Sequence, residues 1–523
     1  FTTKDVTLLH GITSSGKTEV YAKLIQEVLD AGKQVLFLLP EIALTTQIIT
    51  RLQVYFGNQI SVFHSKYSMN ERVEVWRNVL ENKSKAGILL GARSALFLPF
   101  SNLGLIVVDE EHETSYKQFE PSPRYNARDA AIVLAKLHAA KILLGSATPS
   151  LESYFNTAQN KYGLVALNRR HGDVQLPKIE LIDVKEKQRK KEMKGHFSDR
   201  MLLLIQEALD AKEQVILFQN RRGYSPVVEC KTCGVSPECP NCDVTLTFHK
   251  FKQELRCHYC NYQRAMPNSC GACGSNTLNT KGFGTEQIEM ELKVLFPDFK
   301  IGRMDLDTTR GKHGYQKIIT AFESKEIDIL VGTQMLSKGL DFENVSLVGI
   351  LNADTMLNFP DFRAHERAYQ MMVQVSGRAG RSKKQGNVAI QTYNPNHQIL
   401  QQVSTTRYAE MYKEQLQERW QYKYPPYYRL IKITLKHRDY SKVDKGIDWL
   451  AKALQQSFGE FVLGPTAPAV SRIRNQYIKN LVIKIPPKQS LVNTKNQITK
   501  IRNTFEAVSD FRPIRFVIDV DAY

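Results

Sequence analysis

The sequence predicts an α/β protein of two parallel-sheet lobes, with a zinc-binding insertion in the second lobe and a small α+β domain at the C-terminal end. Three observations carry this. Short apolar runs alternate with amphipathic stretches twice along the 523 residues; all eight cysteines form C-x2-C pairs between Cys230 and Cys273; and a β-α-β-β-α-β pattern follows Pro425 and Pro426. The expected boundaries are 1–184 for the first lobe, 185–229 for a linker and the start of the second, 230–274 for the insertion, 275–428 for the rest of the second lobe and 429–523 for the last domain.

In the first lobe, Val35 to Leu39, Ile88 to Leu90, Leu103 to Val108 and Ile142 to Leu144 read as buried strands. Thr18 to Asp30, Leu44 to Phe56 and Asn70 to Asn82 read as the helices between them. Such alternation predicts a parallel sheet covered on both faces. The series recurs with strands at Val215 to Phe218, Ile327 to Val331, Val345 to Leu351 and Val388 to Thr392, and helices at Glu286 to Phe296, Tyr315 to Ser324 and His365 to Val375. Between the lobes, Lys185 to Lys194 holds six basic and two acidic residues and reads as a solvated linker.

The cysteine pairs are Cys230/Cys233, Cys239/Cys242, Cys257/Cys260 and Cys270/Cys273. Disulfides belong mainly to small secreted domains, whereas knuckles of this spacing match tetrahedral four-cysteine zinc sites, so two structural Zn2+ ions are expected. A nested arrangement is favoured, with Cys239, Cys242, Cys257 and Cys260 on one ion and Cys230, Cys233, Cys270 and Cys273 on the other. Sequential pairing is the alternative.

The last domain reads as a split βαβ unit: strands Arg429 to Lys436, Ala469 to Arg474, Ile478 to Ile485 and Ile514 to Val520, with helices Ser441 to Phe458 and Leu491 to Phe505. Residues 430–523 carry 16 Lys+Arg against 8 Asp+Glu, a large share of the total formal charge of +18. That surplus points to a polyanionic partner such as nucleic acid. No run reaches the ~18 apolar residues of a membrane span, so no membrane role is expected, and reduced zinc thiolates without a targeting segment point to a cytoplasmic location.

Gly11-Ile12-Thr13-Ser14-Ser15-Gly16-Lys17-Thr18 fits G-x4-G-K-[ST] at the start of a helix. Backbone N–H groups of such a loop cradle phosphates, Lys17 reaches the terminal ones, and the Thr18 hydroxyl holds Mg2+ with ATP. Asp109 and Glu110 follow a buried strand, where one carboxylate can position Mg2+ and the next can polarise the attacking water. In the second lobe Gln374, Arg378 and Arg381 place an amide and two cations where they can stabilise charge on a transferred phosphoryl group. Tyr116, Phe119 and Tyr125, interleaved with Lys117, Arg124 and Arg128, fit either base stacking or packing beneath a loop.

Together HGITSSGKTEVY, LLPEIALT, GARSALF, VVDEEHE, GSATPS, QNRRGY, VGTQMLSKGLDF, NADTMLNFPDFRAHER and QVSGRAGR resemble a superfamily-two helicase, and among these the primosomal replication-restart helicases. The resemblance covers essentially the whole chain. It implies RecA-like lobes, a 3′ to 5′ DNA helicase driven by ATP, action at abandoned or stalled replication forks, and primosome assembly with reloading of the replicative helicase. Single-stranded and forked DNA, helicase-loading proteins and single-stranded DNA-binding protein are the implied partners. It also implies that Gly339 and Asp341 line the nucleotide cleft with Gln374, Arg378 and Arg381, and that Arg93, Thr148 and Thr333 are tracking or coupling positions that bind or lie near the DNA.

Two positions depart from the family pattern: Ser14 stands for a common glycine, and Leu340 for a usual histidine. The phosphate loop begins ten residues after Phe1, so the chain is expected to be a fragment lacking an N-terminal DNA-binding region and the adenine-contacting segment. A translocase or RNA-directed motor, and a non-enzymatic zinc scaffold that binds DNA, are the competing readings.

Overall fold

The computed structural model describes residues 3–40, 46–64, 67–170, 175–220, 227–241, 244–249, 253–257, 260–280, 285–305, 308–309, 314–336, 342–380 and 385–522. The first lobe runs β1 (Val6–Gly11), α1 (Lys17–Asp30), β2 (Gln34–Leu38), α2 (Thr46–Phe56), β3 (Ile60–Phe63), α3 (Met69–Leu80), β4 (Ile88–Gly91), β5 (Leu103–Asp109), α4 (Ala127–Leu137), β6 (Lys141–Ser146), α5 (Leu151–Ala158) and β7 (Gly163–Leu167). Its seven strands are ordered β3-β4-β2-β5-β6-β1-β7 and all pairs are parallel. Gln34–Leu38 and Ile88–Gly91 are buried throughout, as strands covered on both faces must be.

The second lobe begins with β8 (Lys178–Asp183), α6 (Val184–Arg189), the hairpin β9 (Met193–Lys194) and β10 (Phe197–Ser198), α7 (Asp199–Asp210) and β11 (Gln214–Phe218). The cysteine-rich insertion then adds β12 (Val228–Cys230), β13 (Thr247–His249), β14 (Glu254–Arg256), β15 (Gln263–Ala265) and β16 (Leu278–Thr280). The lobe resumes with α8 (Thr285–Leu295), β17 (Ile301–Met304), α9 (Gly314–Glu323), β18 (Ile329–Gly332), β19 (Val345–Ile350), α10 (Asp354–Leu357), α11 (Ala364–Ser376), β20 (Asn387–Thr392), α12 (Gln398–Ser404) and α13 (Tyr408–Gln421). Its parallel sheet is ordered β17-β18-β11-β19-β20-β8.

Strand β8 corrects the expected boundary. It pairs with β20 over Lys178 to Asp183, so the second lobe starts before residue 184. The basic run is correspondingly no free linker. Asp183 caps α6 by accepting from the Glu186 amide, and Lys187 pairs with Glu192 and Asp199. Most of the run is exposed, as its composition predicts, but local acidic partners and a capped turn fold it into a helix and a hairpin strand.

The C-terminal domain consists of β21 (Arg429–His437), α14 (Tyr440–Phe458), β22 (Val462–Thr466), β23 (Arg472–Ile473), β24 (Gln476–Ile485), α15 (Leu491–Ala507) and β25 (Arg515–Val520). The antiparallel order β22-β24-β21-β25 is the split βαβ arrangement, with β23 hairpinned onto β24. Its second long strand is Val462–Thr466 and not the expected Ala469 to Arg474, which contributes only the two residues of β23. The pair Gly464-Pro465 hides this strand in the sequence, because proline is tolerated only at sheet edges and irregularities, and β22 is an edge strand with a register shift.

Helix α5 belongs to the first lobe by sequence but packs its Leu151 into the second lobe's core. The Leu151 amide donates to Glu366 Oε1 (2.9 Å), Gln370 Nε2 donates to the Thr148 carbonyl (3.2 Å), and the Tyr408 hydroxyl donates to the Pro149 carbonyl (3.0 Å). Glu152 pairs with Arg363 (2.7 Å) and Arg419 (3.1 Å), and Arg419 pairs in turn with Glu366 (2.6 Å). Burial works against the Glu152 carboxylate, but Arg363 and then Arg419 override it and hold its pKa at about 2.

His10 sits in the same junction, edge-on to Tyr154 and Tyr408. Burial pulls its pKa down to about 4, and burial followed by the neighbouring His365 does the same to His397. An unfolded histidine titrates near ~6.5, so the unfolded chain takes up protons first. Their contribution is complete above that pH and declines as pH falls toward 4, by up to about 1.4 kcal/mol per pH unit for each histidine. The apparent unfolding midpoint is expected to fall between pH 6.5 and the folded values near 4, less steeply in a His10→Gln variant. A flat midpoint there would contradict two partly buried imidazoles held neutral.

Candidate nucleotide cleft and zinc centre

Strand β1 delivers Gly11 to the sheet's carboxyl edge, and the loop from Ile12 to Gly16 closes on the first turn of α1. The Ser15 amide donates to the Ile12 carbonyl (3.1 Å), and Lys17 Nζ reaches back to the Gly11 carbonyl (2.7 Å), which sets the ammonium across the loop. Gly16 lies at φ +85°, and Ser14 takes φ +62° without being glycine. The substitution at position 14 therefore retains the left-handed angle at the steric cost that a Cβ carries there.

Strand β5 ends at Asp109 in the same edge. The Tyr21 hydroxyl, from α1, donates to Asp109 Oδ1 (2.9 Å). Burial, then the charge of Glu110, push the Asp109 pKa up to about 6 against the opposing pull of Lys17. A partly buried carboxylate at the strand end, crowded by a second one and opposite Lys17, is a donor that fits a hard divalent cation such as Mg2+.

Glu110 has φ +48°, an unusual angle that turns its side chain toward the second lobe. There Gln374 Nε2, from α11, donates to Glu110 Oε2 (3.3 Å) and lies 2.9 Å from His112 Nε2. The other nitrogen of His112 is 2.8 Å from Ser146 Oγ, which accepts from the Thr148 amide (2.9 Å). A chain of polar contacts thus joins the carboxyl ends of β5 and β6 to α11. One turn on, a Cβ placed on Gly377 would stand 2.7 Å from Thr13 Oγ1, so glycine is what lets the end of α11 approach the phosphate loop. Arg378 follows, buried at the same junction. Gly339, Asp341 and Arg381 lie outside the described residues.

The positions expected near DNA divide. Arg93 Nη1 donates to the Lys117 carbonyl (2.7 Å), and Thr333 remains partly exposed at the end of β18. Thr148 differs from both. Its side chain is buried at the lobe junction, 1% exposed, which suits a coupling position between the lobes rather than a direct contact. Of the loop aromatics, Tyr116 is fully buried with its hydroxyl donating to Leu38 and Asp109 carbonyls, and Tyr125 packs edge-on to Phe97, which leaves Phe119 exposed.

Glu111 is a residue that sequence reasoning missed. Fully buried, it accepts from the Ser150 amide (2.7 Å), Ser153 Oγ (2.7 Å) and Arg128 Nη1 (3.0 Å). It ties the acidic turn to the start of α5. The run of three acidic residues was visible, but nothing local distinguishes the one that turns inward.

In the insertion, Cys230, Cys233, Cys270 and Cys273 converge, as do Cys239, Cys257 and Cys260, with all Sγ atoms of each group within 4.8 Å of one another. Cys242 lies outside the described residues. The Sγ atoms of Cys230 and Cys273, and of Cys233 and Cys270, are 3.6 Å apart, and those of Cys239 and Cys260 are 3.5 Å apart. A disulfide would need ~2.05 Å. Tetrahedral zinc with Zn–S of ~2.3 Å gives an edge of about 3.8 Å. The spacing fits zinc and sets the nested grouping.

Family models match along most of this architecture: a DEAD/DEAH box helicase at 2–156, a PriA DNA helicase Cys-rich region at 239–264, a helicase conserved C-terminal domain at 278–383 and a primosomal protein N C-terminal domain at 421–523. Replication restart protein PriA of Bacillus subtilis is 41% identical over 520 residues, 99% of this chain and 64% of that protein. The Haemophilus influenzae relative of the same name is 40% identical, covering 99% of this chain and 70% of that protein, and the Rickettsia felis one is 40% identical over 93% and 74%. The chain belongs to the PriA family. It spans just under two thirds of the Bacillus relative's length. The match to the PriA Cys-rich region covers the group of Cys239, Cys257 and Cys260, and both cysteine groups fit structural zinc; no helix among the described residues is long and apolar enough to cross a membrane.

Proposed function

We propose that the chain is an ATP-driven DNA motor that travels 3′ to 5′ on single-stranded DNA, acts at abandoned replication forks and, with primosome and helicase-loading proteins, promotes reloading of the replicative helicase in the cytoplasm. The observation that carries the motor reading is Gln374, a second-lobe side chain within hydrogen-bonding distance of Glu110 and His112 in the first lobe. Nucleotide chemistry and lobe position are thereby one geometric problem. Family membership supports the fork and restart roles.

In this reading the amides of Gly11 to Gly16 and the Lys17 ammonium bind the phosphates. Asp109 and Thr18 would hold Mg2+, which would neutralise phosphate charge there. Glu110 accepts the proton of the attacking water while Gln374 keeps its carboxylate oriented. Arg378 and Arg381 meet the negative charge that develops on the phosphoryl oxygens. Release of product frees the second lobe to move.

The test compares ATP turnover with single-stranded DNA, with RNA and with forks that do or do not carry a 3′ leading-strand end. Stimulation by DNA well above RNA is expected, together with unwinding that depends on polarity. Equal stimulation by both polymers would sink the DNA reading.

A further inference from the structure

Helix α3 packs against the first lobe through Val75 and Val79, which join that lobe's apolar core. A second apolar stripe on the same helix faces away from the core. Met69, Val73, Trp76 and Leu80 are 42–67% exposed and follow one another at intervals of four, three and four residues. That alternation is the seam spacing of a coiled coil, in which residues three and four apart line one edge of a helix. Exposed apolar side chains scattered singly are ordinary, but four in register along one helix mark a surface that takes a partner.

The helix that carries the seam is held in place before any partner arrives. Ser68 caps it by accepting from the Glu71 amide, and Glu71 accepts in return from the Ser68 amide (2.7 Å), a reciprocal pair that fixes the first turn. Helix α3 joins β3 to β4, and three strands separate β4 from β1, which delivers the phosphate loop. A molecule seated on α3 therefore leaves the nucleotide cleft open.

The flanks of the seam say what that molecule is. Arg72 lies on one side of the stripe and Arg77, exposed, on the other. The neighbouring carboxylates do not offset them: Glu71 is engaged in the cap, Glu81 pairs with Lys83 (2.6 Å), and Glu74 falls outside both flanks by helical spacing. In a parallel pair with a second copy, the flank at 72 would face the flank at 77, and in an antiparallel pair each flank would face its own kind. Both arrangements set arginine against arginine, which disfavours self-pairing. We propose that α3 docks an amphipathic helix of another protein, apolar along its seam and acidic along both flanks. This surface stands independently of the DNA reading.

The experiment titrates the full chain, by fluorescence anisotropy, with labelled three-heptad peptides: leucine at the seam with glutamate at both flanks, the same design with lysine flanks, and the glutamate peptide with its leucines scrambled around the helix. The glutamate-flanked peptide is expected to bind wild type about tenfold more tightly than either control. Trp76→Ala is expected to lose about tenfold on it, the scale of one aromatic anchor. Arg77→Glu is expected to lose a similar factor on the glutamate peptide and to gain on the lysine one. Both side chains are exposed, so the thermal midpoints should stay at the wild-type value and show that the variants are folded. Equal binding of the scrambled peptide would reduce the effect to the attraction of a +18 chain for any polyanion and overturn the docking site. So would a glutamate peptide that fails to bind, or that binds Trp76→Ala as well as wild type. Sedimentation that showed a wild-type dimer dissociated by Trp76→Ala would overturn the proposal in favour of a second copy on the seam.

Discussion

A Lys17→Ala chain is expected to hydrolyse ATP slower by a factor on the order of 10²–10³, the cost of removing one fixed charge from a transition state that gathers negative charge. Phosphate release at saturating DNA would read this directly. The side chain makes its hydrogen bond to the Gly11 carbonyl and sits in the first turn of α1, where alanine is a good helix former. The fold should therefore survive, and the midpoint of thermal unfolding should move little. Strand separation that continued at the wild-type rate would overturn the ATP-driven mechanism, and a wild-type chain with no ATP turnover would leave a zinc-bearing DNA scaffold with a dormant ATP fold.

Much of that site was legible because its parts are local. A G-x4-G-K-[ST] run before a helix and an acidic turn after four apolar residues each declare their own backbone context. The junction between lobes was not. Helix α5 looks like any amphipathic crossover helix until Leu151 is found in the other lobe's core and Glu152 between Arg363 and Arg419. Those partners lie more than two hundred residues away, and no spacing rule reaches that far.

The same limit explains Glu111 and Thr148. Both sit in motif segments recognised by sequence, and both point into the protein. Glu111 satisfies the start of α5, while Thr148 passes its amide to Ser146 and its carbonyl to Gln370. Motif membership located the segments; only the packing of α5 against α11 shows which side chains face a ligand. The consequence is mechanical. Movement of α11 that disturbs Gln374 at the nucleotide also disturbs Gln370 and Glu366 at the α5 junction, because all three lie on one helix at four-residue spacing.

The nested cysteine grouping leads to the second large expected effect. The buried apolar cluster of the insertion is small, built on Val228, Val244, Leu246, Phe248 and Leu255 beside two of the cysteines. Domains of this kind depend on the metal, and structural zinc supplies on the order of 10 kcal/mol per site in small zinc-finger peptides. Chelation is expected to expose residues 228–280 to proteolysis while the parallel sheets of both lobes persist. Metal analysis of double variants tests the grouping itself. In the nested arrangement Cys230→Ser with Cys273→Ser damages one site and leaves one zinc per chain, whereas Cys230→Ser with Cys239→Ser damages both and leaves none. Sequential pairing requires the reverse, since Cys230 and Cys239 would then share an ion and Cys273 would belong to the other. The Gly234 knuckle, with φ +75° and no room for a Cβ against Tyr393, seats the first site directly on the second lobe. Its loss should therefore loosen the motor more than loss of the site that includes Cys239, Cys257 and Cys260.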